Sequence, residues 1–437
     1  MRPNIIFYFS DQQRFDTVNE EVMPNLTALS REGTLFSDSY TCQPVCGPAR
    51  ACLQSGVYAT QNKCYWNGVS LPLDAKPLAE YFNEAGYETA YIGKWHLASD
   101  RLGFNCEKTA IPKERQGGYK DFWRAADVLE FTSHGYDGYV FDGDGNKIDF
   151  TGYRADCIND FALEYLDQKT SDKPFFMFIS QIEPHHQNDH GRYEGKKEFV
   201  PQFKAYPIPK DLSFLHGDYQ EMYPDYLAAI HSLDDNVGKL VQKLKEKGLY
   251  ENTILIYTSD HGSHFKTRNM EYKRSCHGSA THTPLVITGG PFTGGKVDER
   301  LVSLIDLPPT LLDLAGIPIP ESYMGTSILQ MEQEDKARDC VFIQISESQC
   351  GRAIRTKKYT YAVRAIGGAG FAVHSSKVYF EDYLYDLDND PIEQYNLVRD
   401  ARYAEVRKEL RQMLIREMVH AGEQPPKIYP AFRVRKK

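Results

Sequence analysis

Four apolar runs in this chain each end on a short group of polar, titratable residues, and no other feature restricts the fold as tightly. Asn4–Ser10 is followed by Asp11-Gln12, and Glu88–Gly93 by Lys94-Trp95-His96. Phe175–Ile182 leads into Glu183-Pro184-His185-His186, and Thr253–Ser259 into Asp260-His261-Gly262. Short apolar runs bounded by turn residues read as buried strands, and Pro284–Thr288 adds a fifth. Helical patterns lie between them at Pro24–Glu32, Pro77–Ala85, Ala155–Lys169 and Leu307–Leu314. The clearest is Tyr226–Lys247, where Leu227, Ile230, Leu233, Val237, Leu240, Val241 and Leu244 fall on one face and Gly248 follows as a stop. Strands alternating with helices predict an α/β fold, a large and mostly parallel sheet covered on both faces.

In an open parallel sheet, ligands bind beyond the carboxyl ends of the strands. The four polar groups are therefore expected on one rim. Taken singly, an Asp after a strand is more often a turn residue than a ligand, and a lone His is more often structural than catalytic. Four such ends together outweigh that reading. Asp11, Asp260 and His261, with an oxygen from a fourth group, suit one divalent cation. Two carboxylates and mostly oxygen donors favour Ca²⁺ or Mg²⁺ over zinc, and His261 keeps Mn²⁺ open.

The pattern changes near Lys336. CVFIQISES, GRAIRTKKYTYAVRA and KVYFEDYLYDL read as short strands joined by turns, followed by a closing helix over Ala401–Val419. This predicts a catalytic domain at residues 1–335 and a smaller antiparallel C-terminal subdomain at 336–437, divided within the polar segment Gln330–Asp339. FDGDGNKIDF, Phe141–Phe150, lacks the Gly and Glu positions of a calcium loop and reads as a hairpin turn.

Charge and cysteine usage exclude several classes. The net charge is −9 with no basic stripe, which argues against nucleic acid. The terminal RVRKK reads as a solvated tail. No apolar run approaches the roughly 20 residues of a membrane span, and Ile5–Phe9 is too short for a signal-peptide core. Nine cysteines, odd in number and scattered, argue against a disulfide framework and for a reducing cytoplasm.

Cys42–Gly56 reads CQPVCGPARACLQSG. Cys46–Arg50, C-G-P-A-R, matches the sulfatase signature C-x-P-x-R at the start of a helix-like segment. The competing reading is a buried cysteine at a helix N-terminus, which is common. The order of the other segments argues against it. SDQ after the first strand, PNLTALSREG, TAYIGKWHL, TSDHG and YLYDLDNDPIEQYNLV all follow in the family's sequence. Across nearly its whole length, the chain resembles the formylglycine sulfatases of the alkaline phosphatase superfamily.

That resemblance implies a set of roles. A separate formylglycine-generating enzyme would convert Cys46 to formylglycine, whose hydrated aldehyde offers one hydroxyl to attack sulfur and a second to release the sulfate. Asp11, Gln12, Asp260, His261 and modified Cys46 would bind the metal. Arg50 and Lys94 would steady the nucleophile and the sulfate oxygens. His96 would act as base for release. His185 matches the histidine facing the leaving-group oxygen, and with an ordinary pKa near 6.5 it would be able to donate a proton near neutral pH. Lys273, eleven residues before Pro284, matches the sulfate-binding lysine.

Three departures stand out. Gln12 occupies a position where many sulfatases have a second Asp, and it is similar in this to the choline sulfatase and phosphonate monoester hydrolase branch. His282 replaces an Arg, and His277-Gly278-Ser279-Ala280 replaces Tyr-Glu-Gly-Gly. His186, His190, His264 and His277 are further candidates for the pocket wall. The expected activity is hydrolysis of a small organic sulfate, a sulfated sugar by preference. The alternatives are a phosphonate monoester or phosphodiester hydrolase using the same site, and a binding-only relative that has no need of all these groups.

Overall fold

The computed structural model describes residues 2–333, 338–367 and 370–431. Five parallel strands form the centre of an eleven-stranded sheet. They are β1 (Asn4–Ser10), β2 (Glu88–Lys94), β3 (Phe122–Ala126), β4 (Phe175–Ser180) and β5 (Thr253–Ser259). Their spatial order is β5-β1-β4-β2-β3. Four of the five carry the polar ends read from the sequence, and these four are neighbours. The rim follows directly from parallel pairing in that order.

The margins are mostly antiparallel. β6 (Leu285–Thr288) runs against β5, so the fifth predicted strand does not continue the parallel set. On the other side Asp137–Asp142 runs against β3 and pairs with Lys147–Thr151 as the predicted hairpin. The third predicted strand stops at Ser180 rather than Ile182.

Alternation along β1 explains the layers. Ile5, Phe7 and Phe9 enter one buried cluster, Ile6 and Tyr8 another. The first cluster includes residues of the helices Cys46–Ser55 and Leu307–Leu314; the second takes the apolar stripe of Tyr219–Glu246. All seven residues of that stripe are buried. This helix starts at Tyr219, two turns earlier than its pattern predicts, and takes in Pro224. A proline near a helix N-terminus forfeits only one ladder bond, which the packed stripe outweighs.

A second sheet of five strands covers β7 (Val341–Ile345), β8 (Gly351–Arg355), β9 (Tyr359–Arg364), β10 (Val378–Asp386) and β11 (Lys427–Tyr429). Pairing is antiparallel from β7 to β10, and β11 joins parallel to β10. The predicted closing helix divides into a short 3₁₀ turn, Ala401–Tyr403, and Ala404–His420, with the Asp400 side chain capping the turn. The predicted boundary at 335/336 and the terminal 433–437 lie outside the described residues. Among those described, no helix is long and apolar enough to cross a membrane.

Candidate active site

Cys46 opens the helix Cys46–Ser55 and is buried. Its Sγ lies 3.5 Å from Asp11 Oδ1, 3.3 Å from His261 Nε2 and 2.7 Å from Lys273 Nζ. Burial raises the thiol pKa, but Lys273, Lys94 and His261 outweigh it and hold the group well below its ordinary value. Two strand ends and one later loop thus meet on this atom.

Asp11, Cys46, Asp260 and His261 each offer a donor atom, all within 4.8 Å of one another. The Asp260 carboxylate is divided in its duties. Oδ1 accepts backbone N–H groups from Gln12 at 3.0 Å and His261 at 2.8 Å, whereas Oδ2 is buried without a hydrogen-bond partner. Burial and the neighbouring Asp11 push Asp260 up to about 6. His261 Nδ1 lies 3.0 Å from the Gly262 carbonyl, which can only accept, so Nε2 turns its lone pair to the cluster. An orphaned carboxylate oxygen, a second carboxylate and an imidazole lone pair form a donor set that fits a divalent cation.

Gln12 holds φ 71, and its Nε2 donates to Tyr193 Oη at 2.6 Å. Its remaining donor for a metal is Oε1. Arg50 and Lys94 stand behind the cluster, off the cavity wall. Arg50 Nη2 lies 3.0 Å from Asp11 Oδ2 and 3.6 Å from Asp260 Oδ2, and Nη1 donates to Ser180 Oγ at 2.6 Å. Lys94 Nζ sits 2.9 Å from Asp11 Oδ2 and 3.2 Å from Glu130 Oε2, fully buried. Both cations therefore hold carboxylates. Close packing makes this possible: a Cβ at Gly93 would meet the Ser180 carbonyl at 2.0 Å.

Above Cys46 opens a cavity of about 280 Å³, walled in part by Gln12, Asn67, His96, Glu130, His185 and Lys273. His96 Nδ1 and His185 Nδ1 are buried and unpartnered, as befits a wall that awaits a polar ligand. Lys273 Nζ lies 3.2 Å from His185 Nε2. Burial first, then Lys273, lowers the His185 pKa from its ordinary value.

Of the other histidines, His186 lines the cavity. His190 is exposed against Glu194, and His264 accepts no substrate-facing role because its Nε2 meets the Lys273 carbonyl at 3.0 Å. His277 contacts Tyr385 Oη, and His282 stacks on Phe15 and Tyr40 while bonding the Ser37 carbonyl. The replaced arginine position is thus a packing position in this chain.

Several site residues escaped the sequence reading. FWRAA, β3, was not recognised as a strand, because Arg124 interrupts its apolar character. Its carboxyl end delivers Asp127 and Glu130. Asp127 accepts the His96 N–H through its carbonyl at 2.7 Å and Leu97 N–H through Oδ1 at 2.9 Å, fixing His96 at φ 58. Recognition of that strand would have found both. Asn67, which accepts the Gly47 N–H at 2.9 Å, and Tyr193 lie in loops and carried no signal.

The Sulfatase family model matches residues 3–317, and the model for the C-terminal region of N-sulphoglucosamine sulphohydrolase matches residues 268–420. The chain is 30% identical over 461 residues to the uncharacterized sulfatase YidJ of Escherichia coli, covering 95% of this chain and 86% of that protein. It is 25% identical over 501 residues to an N-acetylglucosamine-6-O-sulfatase of Bacteroides thetaiotaomicron, covering 94% and 86%. A solved structure in complex with its substrate D-glucosamine-2-N,6-O-disulfate superposes with a TM-score of 0.82 at 23% identity, over 98% of this chain and 99% of that one. The same fold is shared by a phosphonate monoester hydrolase of Silicibacter pomeroyi, with a TM-score of 0.70, 20% identity and 96% of each chain covered.

Proposed function

The chain belongs to the sulfatase family, and from that premise we propose that it hydrolyses the sulfate ester of a sulfated sugar at the cavity above Cys46. The observation that carries the reading is the position of Cys46 Sγ, within 3.5 Å of Asp11, His261 and Lys273 on the cavity floor. Sugar as the alcohol is supported by the relatives that act on sulfated glucosamines. In this reading Asp11, Gln12, Asp260, His261 and residue 46 hold one divalent cation, Ca²⁺ before Mg²⁺ or Mn²⁺. When present, the cation would polarise the sulfuryl oxygens, and formylglycine at position 46, made by a maturation enzyme, would supply the hydrated aldehyde.

The remaining groups act as follows. Arg50 and Lys94 keep Asp11 charged and aimed at the donor cluster; burial and Cys46 push its pKa up, but Lys94, His185 and Arg50 hold it below the ordinary carboxylate value. His185 and Lys273 form one proton-delivering pair beside the leaving oxygen. Proton delivery to the departing alcohol is assigned to His185 together with Lys273, whose Nζ lies 3.2 Å from His185 Nε2. His96, across the cavity, takes the proton that release requires. The catalytic unit is placed at residues 1–335 and the smaller one at 336–437, supported by the second sheet beginning at Val341. A cytoplasmic location is part of the same reading, supported by nine cysteines that are all unpaired.

His185→Ala is expected to lower kcat/KM about 100-fold on a sugar or alkyl sulfate and far less on an aryl sulfate, whose leaving group needs no proton. Equal losses on both would remove His185 from the acid role. The overall reading is tested on matched aryl sulfate and aryl phosphonate esters, then on a panel of sulfated sugars, using protein produced with a formylglycine-generating enzyme. Faster sulfate release is the expected result. Preferential phosphonate cleavage would move the chain to the other reading, which Gln12, an amide where a carboxylate is usual, favours.

A further inference from the structure

A second cavity, of about 340 Å³, adjoins the first, and Asn67, Glu271 and Arg274 line both. Its outer wall is aromatic. The rings of Trp66 and Phe371 lie 6.2 Å apart at 48°, and Phe371 is 52% exposed. The Arg101 guanidinium lies 5.9 Å over the Trp66 ring. The common wall is tied together by ion pairs and hydrogen bonds. Arg274 is held by Glu271 at 2.5 Å and by Glu347, while its Nε is buried without a partner. Asn67 donates its N–H to Glu347 Oε1 at 2.7 Å and accepts the Gly47 N–H at 2.9 Å, which ties this wall to the helix turn that carries Cys46.

From this arrangement we infer that the second cavity is a subsite for a second sugar ring, joined to the ring whose sulfate reaches Cys46, so that the substrate is a sulfated oligosaccharide. The inference rests on the sugar-sulfatase reading above. The chemistry of the wall selects the occupant. A sugar ring has an apolar C–H face that packs on aromatic rings and a rim of hydroxyls or sulfates that charged side chains bind. Trp66 and Phe371 supply the first; Arg101 and the Arg274 group supply the second. An aryl or alkyl sulfate that fills only the first cavity touches neither aromatic ring. Because Asn67, Glu271 and Arg274 line both cavities, a ring in the second can be joined to the ring in the first.

The test compares a sulfated monosaccharide, an oligosaccharide containing that same sulfated ring, and an aryl sulfate, on the matured wild-type protein and on Trp66→Ala and Phe371→Ala. The expected wild-type kcat/KM is about 10-fold or more higher for the oligosaccharide than for the monosaccharide. Each variant is expected to lose most of that ratio while its rates on the monosaccharide and aryl sulfate stay within about 2-fold of wild type. These unchanged rates certify that the variants fold. A wild-type ratio near one, or a ratio that survives both substitutions, would overturn the subsite and leave the sugar-sulfatase reading standing. Turnover of the aryl sulfate with none on any sugar sulfate would overturn that reading itself, and the subsite with it.

Discussion

Replacing Cys46 with alanine is expected to abolish sulfate release, with kcat falling on the order of 10⁴-fold or more. The size follows from what the residue does in the proposed reaction. Every other polar group at the site orients, charges or protonates something, and only residue 46 would bond to sulfur. Its neighbours favour reactive chemistry at this position. A buried thiol in an apolar surrounding is inert, whereas this one has Lys273 at 2.7 Å and His261 at 3.3 Å and is held well below its ordinary pKa. Steady-state kinetics on an aryl sulfate measures the loss, and circular dichroism shows whether the fold persists. Mass spectrometry of the wild-type peptide spanning Cys46–Arg50 reports separately whether the thiol has become an aldehyde. A variant that keeps more than a hundredth of wild-type activity would show that residue 46 is not the nucleophile.

Asp260→Asn should remove the metal and keep the fold. Asparagine retains an oxygen at Oδ1, so the Gln12 and His261 N–H groups keep their acceptor. At the orphaned Oδ2 position it places an amide NH₂, which repels a cation and cannot ligate it. Metal affinity is expected to fall at least about 100-fold, beyond the usual range for outer-shell changes, and turnover with it. The measurement is metal content after gel filtration, together with the melting temperature in increasing Ca²⁺. A ligand that binds only the native state stabilises it by about 2.7 kcal/mol at a hundred times its Kd. Wild type should therefore gain thermal stability with added Ca²⁺, and Asp260→Asn should not. The same gain in both proteins would exclude Asp260 as a ligand.

Much of the framework was legible along the chain, and for a definite reason. Side-chain direction in a strand repeats every two residues and in a helix every 3.6, so β1 and the stripe Leu227–Leu244 declare their buried faces locally. Parallel pairing then carries the residues after each strand to one rim, which is why Asp11, Lys94, His185 and Asp260 could be named without coordinates. Strand margins were less legible. Pro284–Thr288 reads the same whether it runs parallel or antiparallel to its neighbour, since a fully buried run shows no direction.

Other features depend on distances between residues far apart in sequence, and these the tertiary structure alone decided. Glu130 becomes a site residue because its carboxylate reaches Lys94 in the interior, where neither charge is screened by water. His185 loses its ordinary pKa through burial and through an ammonium 88 positions along the chain. The second cavity draws Trp66, Arg101, Arg274, Glu347 and Phe371 from five separate segments. Periodicity records which face a residue presents to the core. Which charge it meets there, and what water it loses in doing so, is set only when the chain has packed.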